Sequence, residues 1–297
     1  MRECRNTPTL SNDFQGLASS MPALITILRP LNLFQAFLAV ILTTLFLGQW
    51  HDTRTLILLL LSVLSVNGAG NVINDIYDLE IDRVNRPDRP LPSGQLSQRS
   101  AWIYTWVLFA MGAGFAAFIS LGTFIIAGPI SMTLLIAYSA KLKRSPLLGN
   151  LVVSIMLGLA FIYVGTAFRQ VEATLVMALL AFGFTMIREI IKDLEDMEGD
   201  ARDGARTLPL VLGEEKSSRL VVFMMLVFAI LDLLPYWLGA YGPIYFWLVL
   251  IGINLPLLFA AWYSTMRPGR QTYARVQLFL KLDIFVGLAA LYFGRNI

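Results

Sequence analysis

Residues 56–78 read LILLLLSVLSVNGAGNVINDIYD, and the fold turns on them. The run from Leu56 to Asn74 holds no ionisable side chain and matches the roughly 20 residues an α-helix needs to cross a bilayer's hydrocarbon core. Asp75 and Asp78 follow at once, so a transmembrane helix ends on acids. Eight further apolar segments lie at about 31–48, 101–120, 122–139, 148–168, 171–190, 220–238, 243–263 and 276–294. Hydrophobic residues make up 57% of the 297 and charged residues 14%, against about 25% charged in a soluble domain. One soluble core cannot hide that much apolar surface. The sequence predicts an all-α, polytopic membrane protein of about nine transmembrane helices. The polar residues 1–20 lack the apolar stretch of a signal peptide, leaving one integral-membrane domain over 21–297.

The formal net charge is +3, and topology accounts for its sign. With a cytoplasmic N-terminus and nine crossings, 20 of the 23 Lys and Arg fall on the inner side, leaving Arg54, Arg169 and Arg295 outside. A wrong number of crossings would scramble that bias. Nucleic acid is not needed to explain the basic residues, and no obligate protein partner is evident. The predicted location is multi-pass in the cell membrane, with the C-terminus opposite the N-terminus. A single cysteine, Cys4, excludes an internal disulfide. A single histidine, His51, excludes chemistry that needs two imidazoles.

Most of the acids, 13 of 20, sit in the inner loops 75–100, 140–147 and 191–219, which places the chemistry at the cytoplasmic face. At 100° per residue, Asn71, Asp75, Asp78 and Asp82 fall within an arc of about 60° on a helix, while Glu80 points away. Asp193, Asp196 and Asp200 repeat this spacing 118 residues later, with Glu189 in the place of Asn71. The Leu-Pro pairs 91–92 and 208–209 recur at nearly the same offset, so the two segments read as related halves of one site.

Clustered carboxylates beside a bilayer are costly unless a cation holds them. A single DxxD at a helix end also reads as a solvated surface, but two matched clusters interleaved with Asn and Arg read as a site. Oxygen ligands without Cys or His suit Mg²⁺, which usually takes one or two carboxylates plus substrate phosphates. Two clusters facing each other suggest two Mg²⁺ ions bridged by a diphosphate, whose charge explains Arg83, Arg86, Lys143, Arg144 and Lys192 nearby. A diphosphate at the membrane surface above an apolar interior points to a prenyl diphosphate donor and a lipophilic acceptor. Loss of diphosphate leaves an allylic cation to be kept from water.

The stretch Asn74-Asp75-Ile-Tyr-Asp78-Leu-Glu-Ile-Asp82, with Asp193 and Asp196-Met-Glu-Gly-Asp200, resembles the UbiA superfamily of intramembrane prenyltransferases. Arg29-Pro30-x-Asn32 and Lys141-x-Lys143-Arg144 extend the resemblance over essentially the whole chain. The resemblance implies helices around a large central cavity open to lipid. It also implies that Asn74, Asp78 and Asp82 hold one Mg²⁺ and Asp196 and Asp200 the other, with Asp75 and Asp193 in support. Lys143 and Arg144 would grip the diphosphate, with Asn71, Arg83, Arg86, Tyr138 and Lys192 on the substrates. Residues 188–200 and 85–94 are most similar to the digeranylgeranylglyceryl phosphate synthase branch, which implies geranylgeranyl transfer to a hydroxyl of a glycerol-phosphate ether lipid. Aromatic, quinone-precursor and chlorophyllide acceptors are the alternatives.

Other residues have separate readings. Asp232 inside the seventh span, and Lys281 and Asp283 in the last, are intramembrane charges that read as functional, hydrogen-bonded or snorkelling. Tyr138 and Tyr163 read as shields for a carbocation or as belt residues at span ends. A divalent-cation transporter also shows carboxylates and duplication, but its site belongs near the midplane, and basic residues at its mouth would oppose a cation.

Overall fold

The computed structural model describes residues 22–295, so the polar tail expected at 1–20 lies outside the described residues. The long elements are α1 (Pro30–Phe46), α2 (Thr53–Tyr77), α3 (Leu79–Asn85), α4 (Gln98–Ala117), α5 (Leu121–Ala140), α6 (Leu148–Ala167) and α7 (Val171–Arg202). They are followed by α8 (Leu208–Leu212), α9 (Glu214–Trp237), α10 (Pro243–Met266) and α11 (Arg270–Phe293). Eight are long and apolar enough to cross a bilayer; α1, which occupies the expected first span, is apolar but only 17 residues long.

Hydropathy marks where lipid ends, not where a helix ends. The apolar segment 171–190 continues as helix to Arg202, because Glu, Lys and Met are good helix formers in water as well. At 1.5 Å per residue, α7's 32 residues reach about 48 Å, well beyond a hydrocarbon core. α9 and α11 likewise begin at Glu214 and Arg270, about six residues before their apolar segments. The first acidic run departs from expectation in the other direction: the helix breaks at Asp78, whose φ is −92° and ψ 2°, and restarts at Leu79.

Small residues and buried hydroxyls join the helices where lipid offers no hydrophobic drive between them. A Cβ on Gly112 of α4 would stand 2.6 Å from Val66 Cγ2 and 3.2 Å from the Ser62 carbonyl oxygen of α2. The Ser62 hydroxyl donates to the Gly112 carbonyl at 2.8 Å, and the Tyr163 hydroxyl of α6 donates to Ser62 at 2.7 Å. Tyr163 is therefore a buried pin between helices. Gly158 of α6 lets α7 approach as closely, since its Cβ would meet the Ala178 carbonyl oxygen at 2.9 Å. Proline opens two spans. Pro129 cannot donate in its turn, and α5 answers with a π-helical stretch at Ile126–Ile130; α10 carries another, Leu250–Asn254, just before Pro256, as expected where the helical ladder loses a donor.

Asp232 belongs to this second irregularity. Its carboxylate accepts from Asn254 Nδ2 at 3.1 Å, and its carbonyl accepts from the Tyr245 hydroxyl at 2.6 Å. It ties α9 to α10. Asp283 is buried in α11, and Lys281 is exposed.

Loop-to-loop bonds define the two ends of the bundle. At one end, Lys143 pairs with Asp78 and the Arg206 amide donates to the Arg144 carbonyl at 2.9 Å. At the other, Arg295 donates to the Phe46 carbonyl at 2.5 Å and the Gly242 amide to the Gly294 carbonyl at 2.7 Å. The three loops read as inner therefore share one end. In a Cys4→Ser background, single cysteines at the exposed positions Ser93 and Asp203 should react with an impermeant maleimide from one face of sealed vesicles, and one at His51 only from the other. Labelling of Ser93 and Asp203 from opposite faces would contradict the shared end.

Candidate active site

The first acidic cluster is built around Asp75, which is 3% exposed. A carboxylate buried that far needs opposite charge or hydrogen bonds, and two arginines supply both. Arg29 adopts φ 54° and ψ 75° directly before Pro30 opens α1. That left-handed backbone is strained in any residue but glycine, and the guanidinium of Arg29 pairs with the Asp75 carboxylate. Arg89 Nη1 bridges two acids, lying 3.2 Å from Asp75 Oδ1 and 2.6 Å from Asp82 Oδ2. Its loop is folded to hold it there. The Arg89 carbonyl accepts from the Ser93 amide at 2.9 Å and hydroxyl at 2.7 Å, while Leu91 and Leu96 are buried beneath. Asp78, at the helix break, pairs with Lys143, and Asn74 Oδ1 accepts from the Ser139 hydroxyl of α5 at 2.5 Å.

The second cluster lies along the extended end of α7. Asp193 Oδ2 accepts from the buried Asn150 side chain of α6 at 2.8 Å. Asp200 faces Thr207, and Asp196 is exposed, with no hydrogen bond or ion pair among the described residues. One turn deeper, Glu189 lies 3.0 Å from Arg188 and 3.9 Å from Lys192. Gln277 of α11 anchors that turn by donating to the Arg188 carbonyl at 2.6 Å.

Tyr138 marks where the clusters meet. Its hydroxyl stands within electrostatic reach of Asp78 from the first cluster and of Glu189, Lys192 and Asp193 from the second. The Arg144–Arg206 backbone bond closes the same gap from the loop side. Residues Asn74, Asp75, Asp78, Asp82, Tyr138, Lys143, Lys192, Asp193, Asp196 and Asp200 are thus gathered at one end of the bundle. Three other predicted residues are placed differently. Arg83 turns to Glu80 at 2.8 Å, both largely exposed. Asn71 is committed to the Leu28 carbonyl at 2.8 Å and the Asn67 side chain at 3.2 Å. Arg86 lies on the rim of a cavity of about 410 Å³ that also touches Arg29, Asp75 and Arg89.

Arg89, Ser139, Asn150 and Thr207 are the residues that motif reading does not single out, and Arg29 it names as part of the resemblance without a role at the acids. Arg89 is hidden by its loop, since helical periodicity stops at Asn85. Asn150 carries a faint signal: it stands 118 residues after Asn32, as Asp193 stands after Asp75.

The donor set suits a hard cation in kind, being oxygen throughout. Among the described residues no three acidic side chains converge closely enough to hold an ion alone. An ion here needs ligands from outside the protein, which is how Mg²⁺ sits with substrate phosphates and water.

Comparison with known proteins agrees with this geometry. Residues 33–282 match the model of the UbiA prenyltransferase family. The digeranylgeranylglyceryl phosphate synthase of Thermococcus sibiricus is 39% identical over 91% of this chain and 96% of its own. That of Methanosphaera stadtmanae is 33% identical over 91% and 98%. A solved structure of a digeranylgeranylglyceryl phosphate synthase in membranes is 32% identical with a TM-score of 0.82, covering 93% of this chain and 98% of that one. A UbiA homolog from Archaeoglobus fulgidus bound to GPP and Mg²⁺ shares the fold, at 21% identity and a TM-score of 0.69 over 91% and 99%.

Removing Arg89 leaves two buried carboxylates short of a counter-charge, a change that costs about 3–5 kcal/mol where a buried pair is broken. Arg89→Met should lower the apparent melting temperature in detergent by several degrees, and adding Asp75→Asn should restore part of the loss. Additive losses in the double variant would show that Arg89 and Asp75 do not interact.

Proposed function

Since the chain belongs to the UbiA prenyltransferase family, we propose that it transfers a geranylgeranyl group from its diphosphate to a hydroxyl of a glycerol-phosphate ether lipid such as geranylgeranylglyceryl phosphate. The observation that carries this reading is the meeting of two carboxylate clusters at Tyr138, at the end of an apolar bundle. The synthases that this chain resembles at 33–39% identity support the choice of acceptor. A prenyltransferase also leaves the cation-transporter alternative without a basis.

In this reading Asp78 and Asp82, with Asn74, hold one Mg²⁺, and Asp196 and Asp200 hold a second, with Asp193 behind them. Bound there, such ions would supply Lewis-acid neutralisation of the leaving diphosphate. The protein's own cations share that task. Lys143 stands on Asp78 of the first cluster, Arg144 follows it, and Lys192 faces the second cluster from α7; each can donate a charge-assisted hydrogen bond to phosphate oxygens. Breaking the allylic C–O bond leaves positive charge on carbon 1 of the prenyl chain. The helices beneath the clusters keep water from that carbon, so the acceptor hydroxyl oxygen attacks it instead and gives up its proton to the departed diphosphate. Asp75 is a positioning residue, since Arg29 and Arg89 already claim its carboxylate. The positive-inside bias supports placing the site at the cytoplasmic face of the cell membrane.

Purified enzyme given geranylgeranyl diphosphate, Mg²⁺ and a panel of geranylgeranylglyceryl phosphate, an aromatic acid and a chlorophyllide should form product with the first alone, identified by mass. EDTA should abolish turnover and added Mg²⁺ restore it, with Asp78→Ala and Asp196→Ala each inactive though folded. Full turnover in chelator would end the metal reading, and product from another acceptor would move the assignment.

Lys143→Gln with Arg144→Gln should raise the donor KM and lower kcat/KM about ten- to a hundredfold, the worth of one charged hydrogen bond, while the acceptor KM hardly moves. Unchanged donor kinetics in correctly inserted protein would reduce both residues to topology signals.

A further inference from the structure

The end of the bundle opposite the acids holds a second cavity, of about 250 Å³, between the end of α1, the start of α7, the loop joining α9 to α10 and the end of α11. Its walls include Phe46, Gln170, Glu172, Val176, Tyr241 and Arg295. It is smaller than the roughly 300–1,000 Å³ of pockets that enclose drug-sized molecules. A cavity of that size suits a polar headgroup rather than a whole prenyl substrate.

Two opposite charges share these walls without meeting. Arg295 Nη1 donates to the Phe46 carbonyl at 2.5 Å, and the guanidinium carbon stands 5.4 Å from the centre of the Phe46 ring. The hydrogen bond uses one of the five guanidinium donors and leaves the charge without an anion. Glu172 is exposed and has no hydrogen bond or ion pair among the described residues. A third wall residue is an unanswered donor. Tyr241 is 5% exposed, its backbone bridges to Arg295, and its hydroxyl lies within electrostatic reach of that arginine, yet the hydroxyl has no hydrogen-bond partner among the described residues. A buried polar group left open calls for an explanation. No side chain caps the start of α7 either, so the free amides of its first turn add partial positive charge where Glu172 and Ala173 line the cavity. Guanidinium, phenol and helix start together favour a phosphate, whereas Glu172 favours a cation.

The cavity continues onto an apolar track. Glu172, Leu175, Val176 and Leu179 stand at i, i+3, i+4 and i+7 of α7 and so share one face. Leu175 and Leu179 are 45% and 69% exposed on a spanning helix, which leaves them to lipid. A chain leaving the cavity along this face stays in hydrocarbon.

We propose that this cavity binds the headgroup of a membrane phospholipid that carries both a phosphate and an ammonium group, of the phosphoethanolamine kind. The phosphate oxygens accept from Arg295, Tyr241 and the first amides of α7, the ammonium donates to Glu172, and one acyl chain lies along Leu175 and Leu179. The bound lipid joins the ends of α1, α7 and α11, two of which the Arg295–Phe46 bond already ties together. The cavity lies at the far end from the acids, so the proposal stands apart from the choice of prenyl acceptor.

The test titrates delipidated enzyme in detergent with dihexanoyl phosphatidylethanolamine. Parallel titrations use dihexanoyl phosphatidylglycerol, which has the phosphate without the ammonium, and soluble phosphoethanolamine, which has both without the chains. Binding is read from the melting temperature and from lipid adducts in native mass spectrometry. Wild type should take up one phosphatidylethanolamine per chain, saturably, with a Kd about fivefold or more below that of either other probe. Arg295→Gln and Tyr241→Phe should each weaken it about fivefold or more, while Arg54→Gln, which removes another arginine at this end, leaves it within about twofold. Glu172→Gln decides the matter, because no contact within the fold uses that carboxylate. It should bring the two lipids within about twofold of each other, whereas damage to packing would weaken both alike.

No saturable uptake by wild type, equal Kd values for its two lipids, or an intact preference in Glu172→Gln would each overturn the proposal. Phosphoethanolamine binding as tightly as the lipid would mark a site for a soluble ligand and end the lipid assignment. Melting curves without lipid show which variants fold, and if Arg295→Gln does not, Tyr241→Phe and Glu172→Gln carry the test.

Discussion

A carboxylate at the end of a membrane helix has to be answered by something positive, and the inner end of this bundle is organised around that requirement. Arg89 spans Asp75 and Asp82, Arg29 adopts a strained backbone to reach Asp75, and Lys143 comes from the loop after α5 to meet Asp78. Each of these cations belongs to a different segment of the chain. Satisfying the acids of α2 therefore fixes the start of α1, the fold of the loop after α3 and the position of the loop after α5. Because an uncompensated buried charge costs far more than a surface pair gains, these contacts constrain architecture in a way that the exposed Arg83–Glu80 and Arg219–Glu215 pairs do not.

That electrostatic end depends on close packing above it. Lipid is as apolar as the helix surfaces, so burial of leucine gives little drive to bring spans together. Glycine and hydroxyl contacts decide which surfaces meet. Gly112 sets α4 against α2, Ser62 and Tyr163 add α6, and Gly158 sets α6 against α7. The α6–α7 contact matters for the site, because Asn150 near the start of α6 is the residue that orients Asp193 on α7. Packing near mid-membrane thus carries through to the polar end. The π-helical turns at Pro129 and Pro256 adjust two further spans without breaking them.

The sequence makes the spans, their common sidedness and the acids of both clusters legible, since hydropathy, charge bias and the repeat of Asp75, Asp78 and Asp82 at Asp193, Asp196 and Asp200 all survive in one dimension. Helix ends were less legible. α7 runs on to Arg202 because helix propensity outlasts hydropathy, and the helix through the first motif breaks at Asp78 because the acids bind cations on different elements. The counter-charges were hidden for a related reason. Arg29 and Arg89 lie in turns, where no periodicity predicts direction, and Arg83, closer in sequence to the acids, points the other way. Nor could Asn71 be read as a helix clamp, since its partner Leu28, just before α1, becomes a neighbour only when that segment folds back on α2.

The duplication offers the deeper physical reading. Two segments keep the same spacing of acids, the same left-handed residue before a helix and the same asparagine on that helix, although the first motif's helix breaks at Asp78 and the second runs unbroken to Arg202. Symmetry of that kind would give two equal sites. Leu147 and Thr207 stand in the second half where Arg29 and Arg89 stand in the first; Leu147 keeps the positive φ of Arg29 and Thr207 is buried beside its acid, so the halves differ in charge as well as in the break at Asp78. An enzyme that must hold a highly charged leaving group on one side and release it afterward gains from such imbalance. A site with every carboxylate bare would repel them from one another, and one with every carboxylate paired would have no room for an ion.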